Sequence, residues 1–289
     1  MILPVLIYLF LFCYKPMYGL VIAFKDYKIT RGIEGSNWSD PWYKWFLNFF
    51  TDPYFGRLLK NTFMISGLTI LFGFPAPIIL ALMINEVKNS AFKRTVQTIT
   101  YMPYFISMVV LCGLLKTFCM QDGLFAQVAV LFGGKAQNYL ANPAYFRTIY
   151  VLSDIWSGIG WNSIIYLAAL SSIDQEQYEA ARVDGANRFK QMIHITLPGL
   201  VPTIMVLFIL RMGNILNVGY EKILLLYNSA TYSTADVIST YTYRLSFGGS
   251  GNPMYSKSTA IGLFNTIINV FFLMLTNMIS KKATDAGLF

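Results

Sequence analysis

The sequence predicts an all-α membrane protein of about six transmembrane helices, and three observations carry that expectation. Of its 289 residues, 55% are hydrophobic and only 12% are charged, about half the charge with which a soluble domain covers its surface. The apolar residues fall into blocks of membrane length. The basic residues behind the formal charge of +8 sit in the segments between those blocks. There they orient a membrane protein and meet anionic lipid, so the charge is not read as a nucleic-acid face.

The first block runs from Met1 to Tyr14. As a helix it rises roughly 21 Å, short of a bilayer core of about 30 Å. Either the span continues past Lys15-Pro16 towards Phe24, or a preceding segment is absent. No basic region precedes the block, as it would in a signal peptide, and a missing basic cytoplasmic tail is the expectation. Residues 25–57 hold Gly32, Gly35, Pro41 and Pro53 and read as loop with short helices. Trp38, Trp42, Tyr43 and Trp45 there suit the membrane–water interface.

The second block spans Asn61 to Ile84 and contains Pro75 and Pro77, tolerated in a membrane helix when neighbours satisfy the freed backbone. A short link with Lys88, Lys93 and Arg94 follows. The third block runs from Val96 to Phe118, with Pro103 near its start, and 119–146 reads as a mixed loop. The fourth is Thr148 to Leu170, the fifth Leu200 to Leu216, and the sixth Ser258 to Ile279, closed by Lys281 and Lys282.

Backbone amides in lipid must pair within their own segment, so the blocks are helices. A membrane β-barrel would show short alternating strands. No internal repeat is visible, and one domain over 1–289 is the simplest division. The short links 86–95 and 171–199, with the C-terminal end, carry Lys88, Lys93, Arg94, Arg182, Arg188, Lys190, Lys281 and Lys282. The positive-inside rule puts them in the cytoplasm and the long loops 25–57, 119–146 and 217–257 outside.

Cys13, Cys112 and Cys119 lie in or beside apolar blocks without CxxC spacing and read as small apolar filler. His194 is the only histidine and reads as a surface or packing residue. No GxxxxGK[ST] occurs, and Gly248-Gly249-Ser250-Gly251 reads as a flexible external loop.

Residues 171–199 are too long for a simple turn between helices. Ser171 or Ser172 caps a helix start, and Asp174 and Glu176 suit its positive end. Tyr178 to Val183 is a strong helix-forming run that Gly185 ends. Asn187 starts a second short helix through Phe189, Met192 and Ile193, and Pro198 and Pro202 mark re-entry to the membrane. Two short helices parallel to the membrane surface result, a shape suited to passing force from a soluble protein into the membrane.

Glu179-Ala180-Ala181, three residues, Gly185, nine residues, then Ile195-Thr196-Leu197-Pro198 resembles the EAA loop of ABC importer permeases. The surroundings resemble the binding-protein-dependent sugar permeases. The opening Tyr14-Lys15-Pro16-Met17-Tyr18-Gly19-Leu20 and Ala23-Phe24-Lys25-Asp26-Tyr27 is similar to the LplB-type polysaccharide permeases within that group. The resemblance implies a type I importer permease fold in a bacterial cell membrane. It implies a second, related permease forming a heterodimer, two cytoplasmic ATPase subunits that bind ATP and magnesium, and an extracellular lipoprotein that delivers sugar. The chain itself then needs no cofactor and catalyses nothing. Glu179, Ala180, Ala181, Asp184, Gly185, Ala186 and Pro198 become the expected ATPase-coupling residues, with Glu179 in contact and Gly185 permitting the turn.

A sugar path needs planar hydrogen-bonding groups and aromatic faces, and polar groups inside a membrane are often functional. Asp154, Trp156, Trp161 and Asn162 on the fourth block, Arg211, Asn214 and Asn217 at the end of the fifth, and Asn265 and Asn269 on one face of the sixth are the candidates. Hydrogen bonding between helices or interface anchoring is their alternative role, and Asp154 and Arg211 are a possible pair. The Tyr-rich stretch 220–243 is either a docking surface for the lipoprotein or a folded cap. A secondary transporter is the rival function, but it would show inverted repeats and leave the EAA pattern unexplained.

Overall fold

In a computed structural model, which describes residues 2–248, 253–284 and 287–288, the chain is all-helical apart from one isolated bridge between Lys25 and Trp38. Its helices are α1 (Leu3–Phe24), α2 (Lys44–Phe50), α3 (Phe55–Glu86), α4 (Ser90–Tyr101), α5 (Met108–Cys119), α6 (Leu124–Leu131) and α7 (Pro143–Ser171). They continue with α8 (Gln175–Val183), α9 (Arg188–Met212), α10 (Tyr220–Leu226), α11 (Tyr232–Ala235), α12 (Ile238–Phe247) and α13 (Tyr255–Thr284). Residues 249–251 of the glycine-rich loop lie outside the described residues.

Three prolines that would break a helix are absorbed by one device. A proline lacks an N–H, and its ring clashes with the carbonyl four residues back. Pro16, Pro75 and Pro198 each follow a single wide π turn, at Phe10–Tyr14, Thr69–Gly73 and Met192–Thr196. Each turn closes with a bond to the fifth residue back, such as Phe74 N–H to the Thr69 carbonyl at 3.2 Å. The extra residue widens the turn, and the helix runs on. So α1 continues through Lys15-Pro16 to Phe24, 22 residues in all. By the same means the second part of the 171–199 link is not a separate surface helix. It forms about the first three turns of α9, and Pro198 lies inside that helix rather than at a boundary.

Pro103 has no such turn, and there the chain breaks. Met102–Phe105 tightens to a 3-10 turn, Ile106 is extended, and Ser107 starts α5. The third block is therefore two helices set end to end, not one from Val96 to Phe118. The following loop, 119–146, contains α6, and its tip residues Leu131 and Phe132 are exposed.

Among the described residues, five stretches are long and apolar enough to cross a membrane: Leu3–Phe24, Phe55–Glu86, Met108–Leu131, Arg188–Met212 and Tyr255–Lys282. The remaining long helix, α7, has 29 residues and rises roughly 43 Å. It is more polar because it is central. It packs against α3, α4 and α9, and Phe146, Tyr150, Ser153, Ser163, Tyr166 and Leu170 are buried. Gly160 permits the crossing with α4, where a Cβ would sit 2.1 Å from the Thr100 carbonyl oxygen. Small residues at such crossings let membrane helices approach. The outer faces are apolar and exposed, with Leu71, Phe72, Ile79 and Met83 on α3 and Ile267, Phe271, Met274 and Met278 on α13, as a surface solvated by lipid requires.

Residues 217–248 form a folded cap. Ile223, Leu226, Ala235, Val237 and Ile238 are at most 2% exposed and pack among α3, α5, α7 and α13. Polar bonds lock the cap down. Asp236, fully buried, accepts from Arg244 at 2.7 and 2.8 Å and from Arg57 of α3 at 3.3 Å. Asn61 of α3 donates to the Asp236 carbonyl and accepts from Arg147 of α7. Of the two readings of the Tyr-rich stretch, the packing matches the folded cap.

Candidate functional site

Two regions bear on function, at different depths of the bundle. One end gathers the links 86–95 and 171–199. Asn85, Glu86 and Lys88 share a polar cleft with Tyr178, Arg182, Asn187 and Arg188. There Asp174 caps α8, accepting from Glu176 N–H at 3.0 Å. The far end of α8 closes in two bonds. Gly185 N–H donates to the Arg182 carbonyl at 3.1 Å and Ala186 N–H to that of Ala181 at 2.8 Å. This six-to-one and five-to-two pattern needs a left-handed residue, and Gly185 supplies it at φ +76°. Asn187 then caps α9 by accepting from Lys190 N–H at 2.9 Å.

α8 is tied to the base of α9 but leaves a face open. The hydroxyls of Tyr178 and Thr196 are 2.9 Å apart, and Gln191 donates to the Ala186 carbonyl at 2.8 Å. Ile173 lies under Gly199, where a Cβ would approach it to 2.7 Å. Glu179, Ala180, Asp184 and Gly185 are exposed, Ala181 and Ala186 are half-buried, and Pro198 is exposed about three turns into α9. Val183 is 88% exposed, an apolar side chain held out from the described residues. His194 is exposed, its Nδ1 3.0 Å from the Lys190 carbonyl.

The second region is a cavity of about 520 Å³ between the middle parts of α3 and α7 and the C-terminal end of α9. The wide turn Thr69–Gly73 forms part of one wall. Asp154, Asn162, Arg211, Asn214 and Asn217 meet there, with Phe74 and Tyr166. A smaller cavity of about 340 Å³ adjoins it towards the cap and shares Thr69, Asp154, Arg211, Asn214 and Asn217.

Asp154 pairs with Lys222 of α10 at 3.3 Å, not with Arg211. Lys222 is 2% exposed. Its ammonium also donates to the Tyr150 carbonyl at 3.1 Å and lies 4.5 Å from the centre of that ring. Asn217 donates to the Asn214 side-chain oxygen at 3.1 Å. The side chain of Arg211 makes no hydrogen bond or ion pair among the described residues.

Four of the sequence candidates lie elsewhere. Trp156, two residues from Asp154 and so on the other side of α7, lines an apolar groove with Leu111, Phe118 and Phe125. Trp161 stacks on Tyr104 with ring centres 4.6 Å apart. Asn269 is buried and accepts from Leu216 N–H at 3.0 Å, which holds the chain after α9 to α13. Asn265 has its side-chain oxygen buried without a partner among the described residues and lines neither polar cavity. Lys222 and Tyr150 were not anticipated. The available signal was a lysine opening the apolar run Ile223–Leu226, where a charge must find a partner.

Comparison with known proteins agrees with this architecture. Residues 73–285 match the family described as the binding-protein-dependent transport system inner membrane component. The chain is 42% identical to the protein LplB of Bacillus subtilis over all of its own length and 90% of that protein. It is 43% identical to the polygalacturonan/rhamnogalacturonan transport system permease protein YteP of Bacillus subtilis, again over all of its length and 89% of the relative. A chain of a bacterial ABC transporter importing the acidic polysaccharide alginate superposes with TM-score 0.88 and 44% identity, covering 98% of this chain and 94% of that one. In that transporter's complex with a periplasmic protein bound to alginate pentasaccharide, the TM-score is 0.89. These matches set aside the secondary-transporter alternative, and the ATP is bound by partner subunits. The chain belongs to the inner-membrane permease components of binding-protein-dependent ABC importers.

Proposed function

We propose that this chain pairs with a second, related permease above two ATPase subunits and moves an oligosaccharide, cut from a polysaccharide, inward by alternating access. The oligosaccharide is supported by the named substrates of YteP and of the alginate transporter. The observation that carries the coupling scheme is α8: Glu179 and Ala180 are exposed on it, while the Tyr178–Thr196 contact joins it to α9. Ala180 and Ala181 are small enough for close packing against an ATPase groove, and Glu179 supplies a charge at its edge. A lipoprotein delivers sugar from the opposite side.

ATP binding closes the ATPases, α8 moves with them, and the displacement passes into α9, which forms one wall of the cavity. Only the difference in ATP affinity between the two states drives that shift. Asp154, Asn162, Asn214 and Asn217 supply donors and acceptors for sugar hydroxyls, and Phe74 and Tyr166 supply ring faces.

Co-purification tests the scheme. The tagged chain, expressed with its partner permease and ATPase, is expected to elute with both, and Glu179→Lys is expected to lose the ATPase while keeping the second permease. An ATPase retained in full by Glu179→Lys removes Glu179 from the contact, and a chain that elutes alone overturns the scheme.

A further inference from the structure

We infer that Arg211 is the group with which this permease holds the carboxylate of an acidic oligosaccharide, the substrate class that the names of its relatives already indicate. The inference rests on the permease reading and adds a charge requirement to it. The cavity between α3, α7 and α9 contains two charged side chains, Asp154 and Arg211. They are not equivalent. Asp154 is neutralised from behind by Lys222, 3.3 Å away and 2% exposed, whose remaining bond goes to the Tyr150 carbonyl. Arg211 faces both cavities and has no carboxylate within ion-pair distance among the described residues.

Glu221 lines only the smaller cavity, is exposed, and forms no pair with Arg211. Lys222 lines the smaller cavity and pairs with Asp154, so Arg211 is the one charged side chain of the larger cavity without an ion-pair partner among the described residues. Arg211 lies in the last turn of α9 and is exposed, and a guanidinium there is satisfied by water or an anion. Its planar fork matches a carboxylate with two parallel bonds, whereas sugar hydroxyls offer no such pair of fixed acceptors. Asn162, Asn214 and Asn217 surround it with amides suited to hydroxyls. A ring bearing both hydroxyls and a carboxylate satisfies every group, and a neutral ring leaves the charge uncompensated.

The test is equilibrium dialysis of the purified permease–ATPase complex, without binding protein, against trigalacturonate and its carboxyl-reduced neutral counterpart. The wild type is expected to bind the acid on the order of tenfold more tightly, the effect of one charge-assisted contact. Arg211→Gln is expected to bring the two affinities together, and Arg211→Lys, which keeps the charge without the fork, to retain part of the preference. Loss of all binding in Arg211→Gln with the preference kept in Arg211→Lys supports the inference. Equal affinities in the wild type, or an unchanged preference in Arg211→Gln, overturn it. An ATPase that fails to assemble on the chain overturns the permease scheme instead, so the two failures are distinguishable.

Discussion

The phenol of Tyr178 lies 2.9 Å from the hydroxyl of Thr196, so a side chain on exposed α8 is bonded to the wide turn near the start of α9. Phe189, Ile193 and Leu197 on that stretch are all exposed, and the deeper link between the two helices is polar. Tyr178→Phe removes the bond and keeps the ring. A hydrogen bond of this kind contributes about 1 kcal/mol. The complex is expected to assemble and transport to fall several-fold per ATP hydrolysed, measured as uptake against phosphate release in proteoliposomes. An unchanged ratio shows that the stroke travels by another route.

Gly185 has φ +76°, a conformation that costs a residue with a Cβ roughly 1–2 kcal/mol, and least for asparagine. No side chain stands within 4 Å of the Cβ position, so the penalty is conformational and not steric. Gly185→Val is expected to fray the end of α8 and weaken ATPase capture, and Gly185→Asn to retain most of it. Capture measured by pull-down at graded ATPase concentration separates them, and equal loss in both variants contradicts the conformational account.

Asp52 and Lys257 form a buried pair at 2.6 Å, with Tyr241 donating to the same carboxylate. The pair ties the turn before α3 to the start of α13. Burial alone raises the carboxyl pKa, but the bonds from Lys257, Tyr241 and the Tyr54 backbone outweigh it and hold it below 3.8. A depressed carboxylate gives stability that is fully present above its unfolded pKa and is lost as pH falls through the lower folded value. The contribution is therefore intact at neutral pH and declines only below about 3.8. Lys257→Met strands the carboxylate and is expected to cost about 3–5 kcal/mol at pH 7, with Asp52→Asn in the same chain recovering part of it. Thermal unfolding in detergent checks both, and equal melting of the single variant and the wild type rules out the account.

Gly160 meets the Thr100 backbone with no room for a side chain. Gly160→Leu is expected to push α4 off α7, lower the melting temperature by several degrees and widen access of cysteine reagents to a probe introduced at Thr100. Gly113, with nothing within 4 Å of its Cβ position, serves as the control. A Gly113→Leu variant as unstable as Gly160→Leu contradicts the close-crossing explanation.

How much was legible depended on whether a feature is local. The stop at Gly185 and the start at Asn187 follow from short-range backbone chemistry and are where the residues implied, but the cap of α8 is Asp174, not Ser171 or Ser172, which instead close α7 because that helix runs on to Ser171. The prolines were harder to read. Pro16, Pro75 and Pro198 follow a widened turn inside continuing helices and Pro202 lies inside α9 without one, while Pro103 ends a helix. Neighbouring helices influence that choice, so the proline alone does not announce it. The polar candidates divided for a similar reason. Asp154 and Asn162 face the cavity on α7, whereas Trp156, two positions from Asp154, faces the apolar groove.

The amino-acid order by itself determined the membrane class, the approximate spans and the local turn and helix ends at 185–187, because hydropathy and helix capping act over one or two turns. Tertiary structure decided the partner of Asp154, the isolation of Arg211 and the burial of Asn269. Those depend on which helices pass one another at a given depth, and the side chains involved stand up to 68 positions apart in the chain. Electrostatic pairing follows distance in space, and only the packed bundle sets that distance.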